Sequence, residues 1–117
     1  MAIDLRGGTC WHTSPTGIVK RHAPWSTFKI PHFLIALESQ AVSSPGEVHR
    51  WDTTKRPAAP HWPDAWAQDQ SLESAFTHSA AWPFQEMVSK IGQSNYTKWL
   101  GQFKYGNGHV PLGRDDF

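Results

Sequence analysis

Ser26 and Lys29 lie three positions apart, the spacing that places two side chains on one face of a helix. A serine hydroxyl becomes an effective nucleophile when a neighbouring base removes its proton. A lysine amine can be that base when desolvation or a nearby cation lowers its pKa. Apolar side chains around the pair meet this requirement, and they are Phe28, Ile30, Pro31, Phe33, Leu34 and Leu37. The sequence therefore predicts a nucleophile and its base in the first turn of a helix.

The segments around this pair predict a mainly helical chain. Apolar residues at 30, 33, 34 and 37 recur with the period of a helix whose first turn holds Ser26. Residues 1–24 show little periodicity and predict irregular structure or a weak edge strand, with a short strand at Ile18–Val19. The proline-rich stretch 41–69 predicts a long packed loop, pinned by burial of three tryptophans, which are Trp51, Trp62 and Trp66.

Three further helices are expected after this loop. The second helix runs from about Ser71 to His78, with Asp69 or Ser71 as its cap. The third begins at Pro83 and stops at Gly92, and the fourth begins at Ser94. Their buried stripes are predicted at 84, 87, 88 and 91, and at 96, 99, 100 and 103. The segment 105–108, Tyr-Gly-Asn-Gly, is typical of a turn.

Composition excludes several functional classes. The 117 residues suit one domain, and a formal net charge of +1 argues against a nucleic-acid or anionic-membrane surface. The single cysteine rules out an internal disulfide, and no apolar stretch is long enough for a membrane helix. The seven histidines lack zinc-type spacing, so we expect no metal site and no cofactor of that kind. The tryptophans are expected in the core rather than as a stacking platform.

Three motifs in order resemble those of class D β-lactamases and of the β-lactam sensor domains built on the same fold. They are Ser26-Thr27-Phe28-Lys29, Ser79-Ala80-Ala81-Trp82 and Tyr105-Gly106-Asn107. The resemblance covers roughly residues 20–107. It implies the helical half of a β-lactamase/transpeptidase-like α+β fold that lacks most of its sheet. We therefore treat 1–117 as a single partial domain, with an irregular segment at 1–24, a nucleophile-bearing helical region at 25–107 and a tail at 108–117.

The resemblance also implies roles for particular residues. Ser26 is expected to be acylated by a β-lactam, with Lys29 as general base, usually as a carbamate formed with carbon dioxide. Ser79 would pass a proton to the lactam nitrogen. The substrate-binding residues implied by the other motif positions are Ala81, Trp82, Tyr105, Gly106 and Asn107. Ala81 stands where the family has valine, so we expect extra room for water beside Lys29.

One family motif is missing from the sequence. No Lys-Thr-Gly triplet occurs, although the family uses one to bind the substrate carboxylate beside the oxyanion hole. We therefore expect impaired turnover, because loss of an oxyanion donor alone costs about two or more orders of magnitude in rate. A sensor module that is acylated without turnover, or a non-enzymatic fragment, stays open as an alternative.

The resemblance carries expectations about partners and location as well. An exposed helical face is expected to be covered by a second copy or by a complementing segment. The family acts outside the cytoplasmic membrane, so a periplasmic or secreted location is expected. The first eight residues nevertheless lack the apolar core of an export signal.

Overall fold

A computed structural model of the chain describes residues 2–108, and it is mainly helical with short strands. The helices are α1 (Pro15–Val19), α2 (Lys29–Glu38), α3 (Leu72–Thr77) and α4 (Trp82–Gln102). The strands are β1 (Ala2–Ile3), β2 (Cys10–Trp11), β3 (Val48–His49) and β4 (Gln70–Ser71). Two 3-10 turns lie at Trp25–Phe28 and Asp64–Trp66. The strands form two antiparallel pairs, β1 with β2 and β3 with β4.

The N-terminal segment corrects one prediction. Residues 18–19 belong to helix α1, not to a strand. Local chemistry explains the helix, because Pro15 fixes a helical φ in the first turn and Ser14 caps the free amides. The Ser14 hydroxyl accepts a hydrogen bond from the Gly17 amide at 3.1 Å. The predicted weak edge strand corresponds to the two-residue ladder of β1 and β2.

Helix α2 forms where predicted, but it begins at Lys29, so Ser26 lies in the preceding 3-10 turn and not in the first turn of the helix. Its buried face also differs in part from the predicted stripe. Ile30 and Leu34 keep 55% and 46% of their surface exposed and lie on the outer side, whereas Phe33 and Leu37 are half-buried and pack against the core. The inner side faces α4 and holds His32, Ile35 and Ala36. Periodicity could not separate these faces, because α2 is apolar around most of its circumference and its buried side contains one histidine.

The long segment between α2 and α3 is mostly irregular, as predicted, and Trp51, Trp62 and Trp66 in it are half-buried. Its hydrogen bonds are local or reach α3, α4 and the loop between them. The Trp51 indole donates to the Arg56 carbonyl at 2.9 Å, and the Arg56 guanidinium donates to Gln85 on α4 at 2.7 Å. Strand β3 inside this segment pairs with β4, which leads directly into α3.

Helix α3 begins at a capping box built by two serines. The Ser71 hydroxyl accepts from the Ser74 amide, and the Ser74 hydroxyl accepts from the Ser71 amide, both at 3.0 Å. Ser71 is therefore the cap, and Asp69 is not. The Asp69 carboxylate instead accepts from the Trp51 amide at 2.8 Å, which ties the preceding loop to β4.

Helix α4 contains the break that the sequence predicts. Gly92 adopts φ 74° and ψ 154°, a conformation that residues with a side chain rarely adopt. The Asn95 side-chain Nδ2 donates across the break to the Ile91 carbonyl at 2.8 Å. Before the break Phe84 and Ile91 are buried, and after it Tyr96 is fully buried. The predicted stripes of the third and fourth helices are confirmed at their centres, whereas Phe103 is 40% exposed.

The core lies between α2 and the two halves of α4, with α3 packed beside them. The Cα radius of gyration is 16.5 Å, larger than the about 13 Å typical of a compact domain of this length. Within residues 2–108, no helix combines the length and the apolar character needed to cross a membrane. The predicted tail, 108–117, lies outside the described residues apart from Gly108. The assignment of one partial domain stays a prediction.

Candidate active site

Ser26 lies in the 3-10 turn that leads into α2. The turn is closed by the Thr27 amide, which donates to the Pro24 carbonyl at 3.1 Å. Trp25, directly before the serine, has a positive φ of 49°, which is uncommon for a residue with a bulky side chain. This turn leaves Ser26 and Thr27 exposed, while Phe28 and Lys29 enter the core. The serine is therefore accessible to a molecule from solvent.

Lys29 is buried directly beneath this serine. Its exposed fraction is 8%, and its Nζ lies 5.8 Å from the centroid of the Phe84 ring. Burial lowers the pKa of Lys29 below the ordinary lysine value, because desolvation disfavours the ammonium form. A lowered pKa increases the share of neutral amine, and only that form can accept a proton.

Ser79 reaches the same lysine from the loop between α3 and α4. Its φ is 55°, again in the left-handed region, and its amide donates to the Phe76 carbonyl at 3.1 Å. The loop is fixed from outside by the Trp66 indole, which donates to the His78 carbonyl at 2.9 Å. The half-buried Ser79 is thus turned towards α2.

Lys29 bridges the two serine hydroxyls. Its Nζ lies 3.4 Å from Ser26 Oγ and 3.5 Å from Ser79 Oγ. Both distances exceed the about 2.6–3.2 Å expected for proton transfer, as is common in a site without substrate. The arrangement can take a proton from one hydroxyl and return it through the other. The structure therefore brings together all three predicted catalytic residues.

The other residues of the second motif differ from expectation. Ala81 borders a gap beside Lys29 that has no room for a water molecule, which contradicts the expected entry of water there. Phe28, His32 and Phe84 also border this gap and fill the space around the lysine. Trp82 is only 1% exposed, and its indole donates to the Trp66 carbonyl at 2.9 Å. Trp82 is therefore a core residue that holds the loop, rather than a surface for substrate.

The Tyr105-Gly106-Asn107 motif is separated from the space around Lys29 by one intervening side chain. The three residues line a pocket of about 410 Å³, together with Arg21, His22 and Phe28 among others. The Tyr105 ring contacts the Phe28 ring at a centroid distance of 6.0 Å. Since Phe28 also borders the gap at Lys29, its ring is the shared wall between the two spaces. The third motif thus lines a separate pocket that shares Phe28 with the gap at Lys29.

His32 is a site residue that the sequence analysis missed. It is fully buried one turn after Lys29, and burial, together with the Lys29 charge, lowers the pKa of His32 to about 3. The available signal was a histidine inside an otherwise apolar helix, three positions after the base.

A metal-binding cluster is not found at this site or elsewhere in the described range 2–108, where no three potential histidine, cysteine or acidic ligands come together.

Comparison with known proteins agrees with this geometry. The family of penicillin-binding protein transpeptidase domains matches residues 16–115, and the chain belongs to this family. Among curated relatives, the β-lactamases OXA-3 and OXA-20 of Pseudomonas aeruginosa are 39% and 42% identical over 98 residues. Those matches cover 84% of this chain but only 34% and 35% of the relatives. The chain therefore spans about a third of the length of the curated relatives it matches.

Solved structures give the same picture. The class D β-lactamase BAT-2 superposes with a TM-score of 0.82 at 31% identity, over 97% of this chain and 46% of BAT-2. FUS-1 (OXA-85), a class D β-lactamase from Fusobacterium nucleatum subsp. polymorphum, gives a TM-score of 0.83 at 25% identity, over 97% and 46% of the two chains. These matches confirm the predicted class, a mainly helical part of an α+β β-lactamase fold.

Proposed function

We propose that the chain carries the acylation site of a class D-like serine β-lactamase, with β-lactams as its substrates. The observation that supports this most strongly is the contact of a buried, desolvated Lys29 with both Ser26 and Ser79. The relatives named β-lactamases support the same reaction class. In this proposal Ser26 is the nucleophile, Lys29 the general base, and Ser79 the proton donor to the leaving nitrogen.

The proposed acylation moves one proton through three groups. Lys29 accepts the Ser26 hydroxyl proton while Ser26 Oγ forms a bond to the lactam carbonyl carbon. The carbon–nitrogen bond of the ring then breaks, and Ser79 gives its proton to the nitrogen. Lys29 returns a proton to Ser79 across the 3.5 Å contact. Water later hydrolyses the ester, which releases the opened product and restores the Ser26 hydroxyl.

Lys29 also fits the chemistry of a carbamate, because only a neutral amine adds to carbon dioxide and burial lowers the pKa of this amine. When present, the carbamate supplies an anionic base at the position of Nζ. A bicarbonate titration tests this point. An increase in acylation rate with bicarbonate, lost in Lys29→Gln, is the expected result, and a rate independent of bicarbonate would contradict it.

We further propose that these 117 residues turn over slowly, because the sequence has no Lys-Thr-Gly triplet for the substrate carboxylate. Two assays separate the readings. Hydrolysis of a chromogenic cephalosporin identifies an enzyme, and stoichiometric labelling by a fluorescent penicillin without hydrolysis identifies a sensor-like module. If the wild-type protein gives neither hydrolysis nor labelling, both readings are contradicted and the non-enzymatic fragment is the reading that is left.

The outer face of α2 gives a proposal about partners. Ile30, Phe33, Leu34 and Phe76 line an open apolar groove, in which Ile30, Leu34 and Phe76 are more than two-fifths exposed. Exposed patches of this kind mark contact surfaces. We propose that a complementing segment of the fold or a second copy covers the groove. A concentration-dependent mass that is lost in Leu34→Glu is expected for a second copy. A monomer at every concentration that binds no added complementing segment would contradict both occupants.

A periplasmic or secreted location is proposed from the family membership alone. Detection of the native protein only in the cytoplasmic fraction would contradict it.

A further inference from the structure

His32 is enclosed by aromatic rings at the inner end of the Lys29 pocket. Its ring meets Phe84 edge-on at a centroid distance of 5.2 Å, Tyr96 at 5.6 Å and Phe28 at 5.9 Å. The exposed fraction of His32 is 0%. Since His32 follows Lys29 by three positions on α2, the two side chains share one face of the helix.

The Tyr96 hydroxyl on α4 contacts this imidazole. Tyr96 Oη lies 3.3 Å from His32 Nε2 and 3.5 Å from Nδ1. Tyr96 is itself fully buried, and burial raises the pKa of its phenol, so the hydroxyl keeps its proton and can donate to the ring. The bond therefore connects α2 to the part of α4 beyond the Gly92 break.

The pocket cannot accommodate two cations. Lys29 and His32 are both buried, and each ionised group would lose hydration and repel the other. Burial, followed by the Lys29 charge, lowers the pKa of His32 to about 3, so the imidazole is neutral near pH 7. Lys29 is the charged group that acts on His32 from α2, Tyr96 is the titratable group that contacts it from α4, and the uncharged Ser79 faces Lys29 from the α3–α4 loop.

We propose that His32 is a positioning residue for Lys29. The Tyr96 hydroxyl holds the uncharged His32 ring in place, and this ring keeps water and a second positive charge out of the pocket. The gap bordered by His32, Lys29 and Phe84 has no room for a water molecule, which supports this role. Removal of the ring would leave a space next to polar groups, which water can occupy. The amine would then be rehydrated and would favour its protonated form. This inference rests on the proposed function only for its kinetic consequence.

The test compares His32→Ala with His32→Leu in the full chain. The acylation rate with a fluorescent penicillin is measured across pH, and its rising limb reports the ionisation of Lys29. We expect His32→Ala to move that limb upward by at least about half a pH unit, because a hydrated amine has a more ordinary pKa. His32→Leu keeps the space filled, so the limb should stay in place although the protein loses stability. Tyr96→Phe keeps the ring contacts and should give a smaller upward shift.

A direct readout separates this proposal from the proposed function. Carbon-13 NMR of labelled lysine follows the Lys29 titration without any substrate, with assignment by Lys29→Gln. An upward shift in His32→Ala supports the proposal even if wild-type protein is never acylated. An unchanged Lys29 titration in both His32→Ala and Tyr96→Phe would overturn it. His49→Ala is the matched control, because it removes another buried imidazole, 7% exposed, on β3. An equal shift in that control would also overturn the proposal.

Discussion

Lys29 Nζ lies 3.5 Å from Ser79 Oγ, although fifty positions separate the two residues in the chain. The contact joins the first turn of α2 to the loop between α3 and α4. It depends on the indole of Trp66, which holds that loop at the His78 carbonyl. The same lysine contacts Ser26 three positions earlier, so one amine connects a local contact to a long-range one.

Ser79→Ala tests the long-range contact. Without its hydroxyl, the leaving nitrogen lacks the proposed proton donor, so we expect acylation of Ser26 to slow by about 10²-fold or more. The rate constant for labelling by a fluorescent penicillin measures this. Ser89→Ala, an exposed serine on α4, is the control and should label at the wild-type rate. Equal rates for the two variants would remove Ser79 from the mechanism.

Lys29 should give acylation a defined pH dependence. Burial lowers the pKa of the amine, so we expect the labelling rate to rise with pH and to level off with a midpoint below 10.5. Lys29→Arg keeps a positive charge that does not deprotonate, so its rate should fall by about 10²-fold or more and lose this limb. A midpoint at or above 10.5 in the wild-type protein would contradict the role of burial.

His32 should make stability sensitive to acid. Its pKa is about 3 in the folded chain against 6.5 ordinarily, so between these values the unfolded chain binds more protons and stability falls as pH falls. From pH 7 to pH 4.5 we expect a loss of about 2–3 kcal/mol, measured from urea unfolding midpoints. His32→Leu removes this titration and should flatten the dependence. The same slope in both proteins would contradict a buried neutral imidazole.

Two glycines of α4 form a matched pair for backbone strain. Gly92→Ala places a side chain at φ 74° and should destabilise the fold by about 1–3 kcal/mol. Gly101 lies in the helical second half of the same element with open space around it. Gly101→Ala should therefore stabilise the fold by up to about 1 kcal/mol. Thermal unfolding measures both changes. A neutral or stabilising Gly92→Ala would argue against the break in α4.

Much of this fold could be predicted from local chemistry. Ser71 as a cap, Gly92 as a break and the helix after Ser26 all follow from residues within one or two turns of each other. Local sequence patterns did not predict which face of a helix is buried, because tertiary packing determines that face. The predicted stripe of α2 has the correct period, but Ile30 and Leu34 in it face outward, because α4 packs against the side that holds His32.

The residues of the candidate site also fall into those that local spacing predicts and those that it does not. Ser26 lies in the 3-10 turn and Lys29 begins α2 three positions later, so their spacing alone predicts the contact. Ser79 was found through a motif resemblance, since no local pattern connects it to Lys29. His32 escaped both approaches, because its effect depends on the burial and charge of a folded pocket rather than on spacing.

The central claim is that Ser26 is acylated, and mass spectrometry of the intact chain after incubation with a penicillin tests it most directly. We expect a mass increase of one penicillin per chain, located by peptide mapping on Ser26 and absent from Ser26→Ala. Ser43→Ala, another exposed serine, should be labelled like the wild-type protein. Retention of the label in Ser26→Ala, or no label on wild-type protein above the midpoint of the Lys29 limb, would contradict the account.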